Sequence, residues 1–166
     1  MKKLLVLALL LTATAALASN DKKGISISFS SEDSRTHLGP RLNVRDARLA
    51  ITNRDGSVSL LLMNDVVAIQ LTDRALANIS TKDDASFIED LLASGVRTVL
   101  RKAVEYPISG ISSAGIRDGV LVLTNDKGQP VFTEVKVNGT DMLRDFAIGD
   151  AARFVNAFRA ARSARP

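Results

Sequence analysis

Apolar and polar positions alternate in several short runs of this chain, and turn residues punctuate the runs. In residues 24–30, "GISISFS", Ile25, Ile27 and Phe29 share one face and serines the other, which predicts a strand with one wet face. Residues 31–41 are polar, contain Gly39-Pro40 and read as a loop. Strand character returns over 43–52, where Ala47, Leu49 and Ile51 are in phase. Leu42 and Val44 are out of phase with them, so a bulge or break is expected near Arg45. After the turn at 53–56, residues 58–63 are apolar on both faces, the mark of a central strand covered on both sides. Residues 66–71 form a third strand, and 73–79 a short helical turn capped by Thr72.

The period then changes. Phe87, Ile88, Leu91, Leu92, Val96, Val99 and Leu100 fall on one helical stripe, with Ser80 and Thr81 as caps and Asp83 and Asp84 in the first turn, where the helix dipole favours acids. Pro107 is expected to end this helix. Beyond it, 108–116 and 120–124 read as strands joined by Asp118-Gly119, a two-residue hairpin signal. Residues 131–137 alternate as another strand, Asn138-Gly139 is a second hairpin dipeptide, and 140–146 fit either a strand or a helical turn. A last helix is expected from Asp150 as its cap, with Ala151, Phe154, Val155 and Phe158 inward and Arg159 and Arg162 near its C-terminus.

Strands, helix, strands, helix, with tight connections, predict an α+β fold. The expected architecture is one antiparallel sheet, or two small packed sheets, of about six to eight strands under two amphipathic helices. The order admits a βββα pseudo-repeat. An alternative is a pleckstrin-homology-like barrel with an inserted helix, because the C-terminal strands and closing helix look like the end of that fold; no sequence motif carries the likeness. The pseudo-repeat has a local counterpart. "LAITNRDGSVS" at 49–59 and "LVLTNDKGQPV" at 121–131 share a leucine, a Thr-Asn pair and a glycine at the same offsets. Neither is a calcium loop of the EF-hand kind. With the glycine at the sixth position, the first and twelfth positions hold Ile51 and Leu62 in one copy and Leu123 and Glu134 in the other.

The ends alter the charge picture. Lys2-Lys3, the apolar run 4–11 and Ala16-Leu17-Ala18 describe a signal peptide over residues 1–18, too short in its apolar part for the roughly 20 residues of a membrane span. The expected organisation is a cleaved leader, a single domain over 19–162 and a frayed tail at 163–166. Two of the 22 Lys and Arg residues lie in the leader, which leaves 20 against 18 acids and a net charge of +2. So near a balance gives no electrostatic footprint for nucleic acid. The chain has no cysteine, hence no disulfide and no lipidation site after the leader, and the absence of tryptophan leaves a poor supply of stacking surfaces. The expected location is periplasmic or secreted, soluble after cleavage and not lipid-anchored.

Catalytic signals are thin. His37 is the one histidine, and with no cysteine it cannot complete a zinc site without several carboxylates. "GISSA" at 110–114 half-matches the Gly-x-Ser-x-Gly nucleophile elbow, but a strand follows where that motif needs a helix. Asp83-Asp84, Asp141, Asp145 and Asp150 are explained by capping and solvation. No cofactor or metal is expected. The reading that remains is a small exported binding protein that sequesters a ligand, inhibits a partner or supports an envelope assembly. Its partner would be a protein or small ligand of the envelope, not nucleic acid, and its candidate contact residues are His37, Arg41, Arg159 and Arg162. The competing classes are a hydrolase using carboxylates or Ser112/Ser113, and a peripheral binder of anionic membrane or polymer through the C-terminal arginines.

Overall fold

The computed structural model describes residues 27–28, 35–80, 101–132, 136–137 and 140–164. The expected leader, the helical stripe from Phe87 to Leu100 with Asp83 and Asp84, most of the strand at 24–30 and the Asn138-Gly139 turn lie outside the described residues. In chain order the strands are β1 (Ile27–Ser28), β2 (His37–Pro40), β3 (Leu49–Thr52), β4 (Val58–Leu62), β5 (Val66–Leu71), β6 (Lys102–Pro107), β7 (Ile111–Arg117), β8 (Val120–Asn125), β9 (Lys136–Val137) and β10 (Thr140–Asp141). Helix α1 (Asp73–Ser80) follows β5, and helix α2 (Ile148–Ser163) closes the chain.

The fold is α+β with antiparallel sheets, as the pattern predicts. A five-stranded sheet has the order β2-β6-β5-β4-β3; β7 and β8 form a hairpin, and β1-β9-β10 a small third sheet. These sheets are open rather than closed into one barrel among the described residues. All five residues of β4 are buried, in agreement with its two apolar faces. Val58, Leu60 and Leu62 join Val67, Ile69 and Tyr106 on one face. That face packs on Ile111, Leu121 and Leu123 of the hairpin and on Phe154, Val155 and Phe158 of α2. Fully burying side chains of this size contributes about 1.5–3 kcal/mol each, so this layer holds the molecule together. Leu61 faces the other way with Ala68 and Ala103, and Leu42, Ala47, Ala50 and Met63 pack against them.

Because β2 and β3 lie at opposite edges of the sheet, the segment between them crosses this second face. The Gln70 side chain acts there as a substitute strand. Its Nε2 donates to Leu42 O at 2.9 Å, and its Oε1 accepts from Leu42 N at 2.9 Å. Such pairing is what allows Gln70 to be buried. The break expected near Arg45 is a 3-10 turn, Val44–Asp46, whose Arg45 N–H donates to Asn43 Oδ1 at 3.1 Å.

Several local expectations are corrected. Residues 37–40 are a strand, not part of a loop; β2 is an edge strand, where Pro40 need not supply a ladder donor. Residues 102–107 are strand β6, so no helix runs up to Pro107. Ala103, Val104 and Tyr106 suit either period, and pairing with both β2 and β5 decides for the strand. Helix α2 starts at Ile148 with Ala147 as a cap that makes no side-chain bond; Asp150 lies in its first turn, paired with Arg153 at 2.6 Å. Only Lys136–Val137 of the expected strand 131–137 is described as strand. Phe132 breaks its start with φ 64°, and its ring meets Tyr106 edge-on at 6.2 Å. Thr72 caps α1 as expected, accepting from Ala75 N at 3.1 Å, and Asp118 and Gly119 both have positive φ, the backbone a tight hairpin requires.

Candidate functional site

Three of the four candidate contact residues are occupied with structural work or partly so. Arg41 donates to the Leu71 carbonyl and to Asp73 Oδ1 at 2.8 Å, which fastens the crossover segment to the end of β5. Arg159 donates to the Ala114 carbonyl at 3.3 Å and Arg162 to that of Ser112. Both arginines therefore reach from α2 to one edge of β7, a strand that pairs with β8 alone among the described residues. Covering an unpaired strand edge is a common protection against pairing with another chain.

The serines of "GISSA" are also accounted for. Ser112 is the extra residue of a bulge between Ile111 and Ser113, and its hydroxyl donates to Thr124 O at 3.1 Å and to Asn125 O. Ser113 Oγ and Thr124 Oγ1 lie 2.6 Å apart. Asp145 receives Asn53 Nδ2 at 3.4 Å, while Asp150 receives Arg153. Asp145 and Asp150 thus have separate partners rather than forming a pair.

Both repeated turns are built on a buried asparagine. Asn53 Oδ1 accepts from Val58 N at 2.9 Å; Asn125 Oδ1 accepts from Lys127 N at 3.0 Å and Gln129 N at 2.9 Å. Three residues on, Gly56 and Gly128 each have φ 75° and donate to the asparagine carbonyl at 3.0 Å. Burial pushes the pKa of Asp55 in the first turn up, but hydrogen bonds from Ser57 and Asn53 outweigh it and hold the carboxyl below its ordinary range. In the second turn Arg35 donates to Asp126 at 2.9 Å and holds that carboxyl low. The Arg35 guanidinium also lies over the Tyr106 ring, 5.3 Å from its centroid.

The remaining chemistry is at the β2 edge. His37 stands opposite Glu105 in the register, and Glu105 stands opposite Ala68 on its other side, so all three share the second face. His37 Nε2 and Glu105 Oε2 are 3.2 Å apart, with the histidine side chain 56% exposed and the glutamate side chain 10% exposed. Glu105 Oε1 is buried and has no hydrogen-bond partner among the described residues. It is turned onto Gly39: a Cβ added there would lie 1.8 Å from Oε1 and 2.5 Å from Cδ. A glycine at that position is thus what admits the carboxylate. A buried carboxylate oxygen without a donor is costly, commonly more than the 1–3 kcal/mol or so of a neutral group, and it is the one such side-chain atom among the described residues. Sequence reasoning singled out His37 but missed Glu105 and Gly39. The pattern Ala103-Glu105 placed a charge in phase with a small apolar residue, but only the pairing of β6 with β2 brings His37 to it. Comparison with family models, with curated proteins and with solved structures found no match to this chain.

Proposed function

We propose that the chain is an exported binding protein that works without catalysis. Residues 1–18 would be removed on export, and the mature domain would engage a protein or small ligand of the cell envelope. The contact surface is the β2 edge around His37. One observation carries this reading: a buried carboxylate oxygen with no donor sits directly behind a half-exposed histidine on an edge strand. Such an atom is explained by a bound group that supplies the missing donor. Leu38, 40% exposed on the same strand, lies in register with Val104 and adds apolar surface on the opposite face of that edge. The engagement of Ser112 and Ser113 with Thr124 and Asn125 supports binding over hydrolysis. No helix among the described residues is long and apolar enough to cross a membrane.

The test compares two baits made from the mature chain, one unaltered and one carrying His37→Ala with Leu38→Ser, against an envelope extract. The expected result is a stoichiometric partner or co-eluting small molecule retained by the first and lost by the second. Equal capture by both baits refutes the β2 edge as the contact surface. N-terminal sequencing of the protein from its native host checks the cleavage after Ala18.

A further inference from the structure

We infer that Glu105 is the receptor for a primary ammonium group on an aliphatic stem. The inference rests on the binding reading above and specifies the ligand for the same site. Glu105 needs a donor at one oxygen only. Oε2 already has the His37 ring nitrogen at 3.2 Å, while Oε1 has none. A guanidinium recognises a carboxylate best through two parallel bonds to both oxygens, which His37 obstructs here. An ammonium is a compact point charge that satisfies a single oxygen. The surroundings suit the carbon chain behind it. Ala68 stands directly opposite Glu105, Ala103 is two residues away on the same face, and Gly39 has no side chain. These walls are apolar and present no polar shell, Ala68 and Ala103 being fully buried. Among the described residues the ion-pair partner of Glu105 is His37, so no lysine or arginine of the described chain already fills the role.

The same ammonium could come from a free amine or from a lysine of a partner protein. Two probes distinguish the sources: cadaverine, and an Nα-acetylated lysine amide. Two controls define the chemistry: n-butanol, which lacks the charge, and n-butylguanidine, which carries it in the planar form. Each is titrated into the isotope-labelled mature protein while the Gly39 amide and His37 ring signals are followed. Saturable shifts are expected with cadaverine or the lysine amide, the tighter of the two naming the source. No saturable shift is expected with butanol. Glu105→Gln, which keeps the shape of the side chain, should weaken binding at least tenfold. The Glu105→Gln variant should keep the far-ultraviolet circular dichroism and amide dispersion of the parent, which separates loss of the ammonium site from a folding defect.

Tighter binding of butylguanidine, no saturable response to either amine, or equal affinity in the Glu105→Gln variant each overturns the ammonium assignment. Capture of a partner through His37 and Leu38 without any amine response would leave the binding reading standing and this inference refuted.

Discussion

Gly39→Ala is the sharpest test of how the sheet accommodates Glu105. The new Cβ would lie 1.8 Å from Glu105 Oε1 and 2.5 Å from its Cδ. Ordinary contact begins near 3.4 Å, so the carboxylate must move by roughly 1.5 Å, out of its seat and away from His37. Overpacking of this kind costs about 1–3 kcal/mol. Alanine returns about 0.5–1 kcal/mol, because glycine in a strand loses more backbone entropy on folding. The net expectation is a loss of about 1–2 kcal/mol for the single variant. In a Glu105→Ala background the obstacle is gone, and the same glycine substitution should stabilise by about 0.5–1 kcal/mol. The two positions should therefore couple by about 1.5–3 kcal/mol, well above the additivity expected of independent sites. Urea unfolding of the four proteins, followed by far-ultraviolet circular dichroism, measures this coupling. Additivity within about 0.5 kcal/mol would refute the placement of the carboxylate over Gly39.

Asn53→Ala should destabilise by about 1–3 kcal/mol, because it leaves the buried Val58 N–H without its acceptor. Asn125→Ala should cost less, since water can reach the exposed Lys127 and Gln129 that it frees; equal costs in urea unfolding would contradict this ranking. Gln70→Ala should cost about 1–3 kcal/mol and raise amide exchange at Leu42, and an unchanged exchange rate would show that the crossover segment does not depend on it. Arg159→Ala with Arg162→Ala should lower stability by about 0.5–1.5 kcal/mol per lost bond and increase self-association at β7, read by light scattering. Arg35→Met should raise the pKa of Asp126 toward the ordinary carboxylate range, followed by carboxyl carbon resonances. A carboxyl held low in the folded state adds stability above its unfolded value, about 3.9, and loses it as pH falls through the folded value. The Asp126 contribution should thus fade on the acid side of about pH 4 in the parent and be smaller in the variant.

Period and turn chemistry made much of the fold legible. The two apolar faces of β4, the Asp118-Gly119 hairpin, the Thr72 cap and the inner stripe of α2 all follow from local rules, and each is found in the structure. The errors share a cause. Residues 37–40 contain Gly39-Pro40, which locally means a loop, and 102–107 continue an apolar run that locally suits a helix. Each becomes a strand by pairing with the other, a contact between segments remote in sequence. The candidate site lies on that pairing. His37 reads as an isolated loop histidine because its partner is Glu105, and nothing local marks Glu105, which is turned onto Gly39.

The repeated turns gain a different meaning from the same reasoning. Both carry a threonine whose hydroxyl meets a serine on the neighbouring strand: Thr52 with Ser59 at 3.3 Å, and Thr124 with Ser113 at 2.6 Å. Both then place a buried asparagine and a glycine at φ 75°. Yet Asn53 N donates to Val58 O, while Asn125 N donates to Gln129 O, one residue sooner. The strands around them also pair differently, β3 and β4 within a five-stranded sheet and β7 and β8 as a two-stranded hairpin. A duplicated unit would preserve closure and strand order before it preserved a handful of side chains. What recurs is what a strand must supply to reverse direction around a buried amide. Each turn also ties down a remote segment, the first through Arg54 N to Asp145 O at 3.0 Å and the second through Asp126 to Arg35 at 2.9 Å. Structure thus accounts for the oxygen-rich turns, as it does for the serines and Arg41, and the polar chemistry it leaves unexplained is concentrated at Glu105.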